Sequence, residues 1–166
     1  MSPNQLTITA SGDREIVISR AFDAPRLLVW QAVTKPELLK RWLGVHNGWE
    51  LAVCEIDLRV GGTYRYVWRG PNRAEMGMGG VYLELMPPER IVTTERFDDP
   101  WYPGEGVGTM LLAERAGKTT MTTTVKYESK AARDMVLSSP MESGMAAGYI
   151  ALDDVLASLG ADGGAR

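Results

Sequence analysis

Two rhythms of hydrophobic and polar positions divide the chain. From Trp49 to Tyr127 apolar residues recur in short runs bounded by Gly, Pro, Asn or Asp, the spacing of β-strands. Six strands are predicted there: Trp49–Asp57, Gly62–Arg69, Met76–Met86, Arg90–Phe97, Val107–Arg115 and Lys118–Tyr127. The joints, among them Gly61-Gly62, Pro87-Pro88 and Ala116-Gly117, are too short for parallel crossovers, so neighbouring strands must pair antiparallel. Ahead of this block, the β-branched run Arg14–Ala21 predicts one more strand. Asp23-Ala24-Pro25 ends it and opens a short helix over Arg26–Val33. The Thr34-Lys35-Pro36-Glu37 capping signature then starts a second helix through Leu43.

Behind the strands the period lengthens. Ser139-Pro140-Met141-Glu142 combines a capping serine, a proline and an early glutamate, and starts a helix expected to run to about Leu159, with Gly160 as its stop. Its apolar stripe is Met141, Met145, Tyr149, Leu152, Leu156 and Leu159. The organisation expected is a flexible segment over 1–13, one domain over 14–160 and a flexible tail over 161–166.

Strand alternation then sorts residues onto faces. Tyr64, Tyr66 and Trp68 share one face, and Met121, Thr123 and Val125 another, opposite the solvated set Thr120, Thr122, Thr124 and Lys126. Val81, Leu83 and Leu85 are expected inward, leaving Tyr82 outward; for 49–57 and 107–115 both parities carry apolar residues. Glu95 shares inward parity with Ile91 and Thr93, which makes it either a member of a buried ion pair or a pocket acid. Gly144 and Gly148 serve either close packing of helix on sheet or space beside a cavity. The methionines near the helix either fill an irregular core or form an adaptable wall for an apolar ligand. The pocket expected from these faces is lined by Tyr64, Tyr66, Trp68, Met121, Met141, Met145 and Tyr149, with Glu95 at its polar end.

Composition narrows the chemistry. Of 166 residues 45% are hydrophobic and 23% charged, an ordinary globular balance. A net charge of −3 offers no basic excess for nucleic acid. No apolar run approaches the ~18 residues of a membrane span, and the first residues lack a signal pattern, so a cytoplasmic protein without membrane insertion is expected. Cys54 is the only cysteine and His46 the only histidine, which leaves neither a disulfide nor a His- or Cys-built metal site; no metal and no cofactor are expected. Cys54 reads as a small buried hydrophobe and His46 as a solvated loop residue. No catalytic constellation is set by spacing.

The element order resembles the helix-grip fold of the START-like (SRPBCC) superfamily. Within it, the chain is similar to the branch named for the activator of the ninety-kilodalton heat-shock chaperone's ATPase. The likeness rests on Arg20-Ala21-Phe22-Asp23-Ala24-Pro25, Thr34-Lys35-Pro36-Glu37-Leu38, Asp57-Leu58-Arg59-Val60-Gly61-Gly62-Thr63-Tyr64, Pro87-Pro88-Glu89-Arg90-Ile91-Val92 and Met141-Glu142-Ser143-Gly144-Met145. Arg41-Trp42-Leu43 departs from it, since many relatives carry adjacent tryptophans there. The resemblance implies an α+β fold: a curved antiparallel sheet of about seven strands, two short helices after the first strand, and a long C-terminal helix across the concave face. It also implies a cavity between that helix and the sheet, and hence a small hydrophobic or aromatic ligand. A cyclase- or dehydratase-like enzyme using the same pocket, and a co-chaperone-like partner of a chaperone, are the alternatives. The chain is expected as a monomer or homodimer.

Overall fold

The computed structural model describes residues 4–163. In chain order these form β1 (Thr7–Ser11), β2 (Glu15–Phe22), α1 (Arg26–Thr34), α2 (Pro36–Leu39), β3 (Glu50–Ile56), β4 (Thr63–Arg69), β5 (Glu75–Met86), β6 (Arg90–Phe97), β7 (Gly106–Arg115), β8 (Lys118–Lys126), α3 (Lys130–Leu137) and α4 (Met141–Gly163). The strands make one antiparallel sheet in the order β1-β2-β8-β7-β6-β5-β4-β3. Strands β3 to β8 meander, each pairing with the next because their connections are short. The last of them returns to β2, and α1 and α2 carry the chain from β2 to the far edge. This is the helix-grip architecture, with a core of Phe22, Val29, Leu39, Met121, Leu152 and Leu156 between sheet and helices.

One strand more than expected is present. Thr7–Ser11 lies in the segment expected to be flexible, yet pairs residue for residue with Glu15–Ser19. Its polar composition suits an outer strand whose five positions are all exposed or half-buried. Behind it, α3 occupies residues that the pattern left without an assignment. Ser129 Oγ accepts from the Ala132 amide at 3.0 Å, and buried Arg133 donates to the carbonyls of Gly12 and Glu15 at 3.2 and 3.0 Å, tying α3 to the β1–β2 turn.

Two further expectations are corrected. In β5, Tyr82 is 3% exposed and Leu83 45%, the reverse of the predicted faces. A register shift between Tyr82 and Glu84 inserts an extra residue against β6 and inverts the alternation there. A similar shift between Leu51 and Val53 explains why both parities of β3 carry apolar residues. At the other end, α4 runs through Gly160 to Gly163 instead of stopping. Gly160 keeps a helical backbone, and exposed glycine costs a helix only about 1 kcal/mol. Of the expected tail, residues 164–166 lie outside the described residues.

Candidate functional site

Helix α4 is bound to the sheet unequally along its length. Towards its C-terminus, Leu152, Val155 and Leu156 are each at most 3% exposed. Beside them the two terminal nitrogens of buried Arg20, Nη1 and Nη2, donate to the Asp153 carboxylate at 2.8 and 2.7 Å, and that guanidinium stacks 4.6 Å from the Phe22 ring centre. Towards its N-terminus Met141, Gly144 and Met145 are only half-buried. What they face is space.

That space is a cavity of about 450 Å³ between the first half of α4 and the sheet. Met141, Gly144, Met145, Gly148 and Tyr149 form its roof; Trp68, Met76, Met110 and Met121 form its floor; Trp42, Leu43, His46 and Trp49 close one side. The side wall is fixed by two indole hydrogen bonds: Trp42 donates to the Ala32 carbonyl and Trp68 to the Leu43 carbonyl, each at 3.0 Å. The glycines serve both roles considered for them. A Cβ on Gly148 would stand 3.2 Å from the Trp42 carbonyl oxygen, so its absence lets helix and loop approach; one on Gly144 would stand 3.2 Å from the His46 ring. His46 is therefore half-buried against the cavity and not a solvated loop residue, and its Nδ1 is buried without a hydrogen-bond partner among the described residues.

A second chamber of about 200 Å³ lies deeper. It shares Trp42, Leu43, Met110 and Thr123 with the first as a common wall. Tyr64, Tyr66 and Tyr82 enclose it, with the Tyr64 ring centre 5.0 Å from that of Tyr66 and 5.6 Å from that of Tyr82. The Tyr64 hydroxyl is committed, donating to the Thr94 carbonyl at 2.7 Å.

Glu95 enters this chamber as its one carboxylate. Its partners in register across β7 are glycines: Glu95 faces Gly106, and Gly108 faces Thr93, which leaves room for the carboxyl group above the strand. No ion pair or hydrogen bond to Glu95 is present among the described residues, so the expected alternative of a buried ion pair does not hold. Glu95 retains some accessible surface, as a group bordering a cavity does, yet is enclosed by protein, and that desolvation pushes its pKa up to about 7. The surrounding phenols respond likewise: burial raises Tyr102 to about 12 and holds Tyr64, Tyr66 and Tyr127 well above the usual range, with the nearby Glu95 charge adding to each. The Tyr102 hydroxyl is buried without a hydrogen-bond partner among the described residues. Cys54, pushed up to about 11 by burial, behaves as the expected hydrophobe.

A model of the Activator of Hsp90 ATPase homolog 1-like protein family matches residues 23–157. The chain belongs to this family. The match takes in α1 through most of α4, so both chambers lie inside the family's own fold. The crystal structure of a Rhodobacter sphaeroides protein is 33% identical, with a TM-score of 0.85 over 92% of this chain and 99% of that one. Protein CV1439 from Chromobacterium violaceum is 29% identical, with a TM-score of 0.71 over 86% and 96% of the two chains. Protein Ms6760 from Mycobacterium smegmatis, 21% identical with a TM-score of 0.81 over 92% and 97%, shares the fold. No curated protein matches the chain.

Within this family fold the predicted pocket residues divide between two chambers. Trp68, Met121, Met141, Met145 and Tyr149 border the larger; Tyr64, Tyr66 and Glu95 border the smaller. Sequence reasoning missed the side wall of Trp42, His46 and Trp49, and it turned Tyr82 outward. The apolar group Leu38, Leu39, Trp42 and Leu43 was the available signal for the wall, since its tryptophan needs an interior to face. Nothing local marks His46, because a Gly-flanked loop reads as exposed unless its packing partner, Gly144, is known. Among the described residues, no group of His, Cys, Asp or Glu is arranged to hold a metal ion. No described helix is long and apolar enough to cross a membrane.

Proposed function

We propose that this protein binds a small hydrophobic or aromatic molecule in the cavity beneath the first half of α4. The observation that carries the reading is an apolar cavity of about 450 Å³, walled by methionine and tryptophan side chains, beneath the half-buried first turns of a helix whose middle is sealed into the core. Ligand sites are commonly about 300–1,000 Å³, mostly apolar, with a few placed polar groups. Methionine walls adapt to ligand shape at little cost. The test is native mass spectrometry of the freshly purified protein for a retained small molecule, with a thermal-shift screen of aromatic polyketides, flavonoids, fatty acids and sterols. A retained or stabilising compound whose effect weakens in Trp68→Ala supports the reading. Absence of any retained molecule and of any shift overturns it.

One observation favours a second reading, acid–base catalysis on the bound molecule: Glu95, raised to about 7, is able to give or take a proton near neutrality. Turnover of a bound compound that is lost in Glu95→Gln while binding persists would establish it.

A further inference from the structure

The proposed apolar ligand leaves one part of the site unexplained. A carboxylate enclosed without a counter-charge is costly, and proteins keep such groups paired or neutralised. Here Glu95 has neither an ion-pair nor a hydrogen-bond partner among the described residues, and it faces a chamber of about 200 Å³. The other prominent feature of that chamber is a set of three adjoining tyrosine rings. Aromatic rings attract cations through their quadrupole, and a carboxylate among them adds the full charge. A neutral guest would leave the carboxylate without a counter-charge. An anionic guest would be repelled.

We infer that the inner chamber is a subsite for a cationic nitrogen, and that the ligand is an apolar molecule carrying one amine, its ammonium held by Glu95 among Tyr64, Tyr66 and Tyr82 and its apolar body in the larger chamber. This rests on the cavity reading above and adds the charge of the ligand. The wall common to the two chambers, which includes Trp42 and Met110, is where the apolar stem passes. Among the described residues, the titratable groups that feel the Glu95 charge are phenols: Tyr64 and Tyr66 from β4, Tyr102 from the β6–β7 connection, and Tyr127 after β8. Against it, β7 presents glycines and β8 presents Val125. The phenols stay neutral at all ordinary pH values because burial raises them, so Glu95 alone sets the charge of the chamber between acid and mildly basic conditions. His46 borders the other chamber.

The experiment compares octylamine, octanol and octanoate, equal in length and differing in charge, by quenching of the tryptophans that line the larger chamber. At about pH 8 the amine should bind about tenfold tighter than the alcohol, and octanoate weakest. In Glu95→Gln octylamine and octanol should bind alike, the amine's advantage being gone. The wild type supplies an independent check without mutation: near pH 5, where Glu95 is protonated, the preference for amine over alcohol should fall towards parity. If octanol binds as tightly as the amine at both pH values, or octanoate matches the amine at the higher one, the cationic subsite is overturned while the cavity reading stands. If none of the three binds at either pH, the cationic subsite is overturned, and the cavity reading falls with it only if native mass spectrometry and the thermal-shift screen also find no ligand.

Discussion

The two halves of α4 cross the same sheet but do different work. From Leu152 to Leu156 the helix is a structural clamp, with three apolar side chains sealed into the core and a bidentate ion pair from Asp153 to Arg20 at its edge. From Met141 to Gly148 it is a roof, whose lining residues there, Met141, Gly144, Met145 and Gly148, are flexible or lack a side chain, over a cavity they leave open. One continuous helix thus carries the stability at one end and the binding surface at the other. The contrast teaches that a stripe of apolar residues at helical spacing reports only which face turns inward. Whether that face meets atoms or space depends on what the opposing strands offer.

The contrast is broken most directly by truncating both halves. Leu152→Ala should destabilise the fold by about 2–5 kcal/mol, through lost burial and the void left behind. Met145→Ala, removing a half-buried side chain that already borders space, should cost about 1 kcal/mol or less. Urea unfolding of the two variants measures the difference, and equal losses would abolish the distinction between clamp and roof.

Asp153→Asn should cost about 1–3 kcal/mol, because it leaves the Arg20 guanidinium buried without its counter-charge; the exposure of Asp153 keeps the loss below that of a fully buried pair. The change should fall on unfolding free energy and spare affinity for any cavity ligand.

Glu95, in the chamber that adjoins the roofed cavity, has its own signature in pH. Its folded-state pKa, about 7, lies above the unfolded value near 4.5, so the folded state binds the proton more tightly. Stability associated with the protonated form is complete below the unfolded pKa and is lost as pH rises through about 7. Glu95→Gln should therefore be more stable than the wild type by about 1–3 kcal/mol near pH 8, the gain shrinking towards pH 5. Denaturation of both proteins across that range checks it. A constant difference would mean that Glu95 is not desolvated.

The smallest effect lies at the far end of the clamp. Gly160 has open space around the position of a Cβ and a helical backbone, so Gly160→Ala should raise stability by about 0.5–1 kcal/mol. A loss on thermal melting would instead indicate the helix stop expected from the sequence.

How far the sequence revealed this molecule depends on how local each signal is. Strand ends carry their own turn chemistry, and the six strands from Trp49 to Tyr127 were placed within about two residues of their observed bounds. The inward direction of Tyr64, Tyr66, Trp68 and Met121 follows from alternation alone, and these residues do border the chambers. The failures are non-local. The bulge beside Tyr82 depends on pairing with β6, and β1 is a strand only because β2 offers it an edge. His46 is in the wall because Gly144, nearly a hundred residues on, admits its ring. The division of one expected pocket into two chambers comes from Trp42 and Met110, on elements that meet only in the folded chain.

The central claim, that the roof half of α4 covers a binding cavity, is tested most directly by filling that cavity from the roof. Met145→Trp should fold as the wild type does and unfold at a similar urea concentration. A ligand found to stabilise the wild type, by about 2.7 kcal/mol at a hundredfold excess over its Kd, should then produce no shift in the variant. A shift of undiminished size in a folded Met145→Trp protein would place the ligand elsewhere and contradict the account.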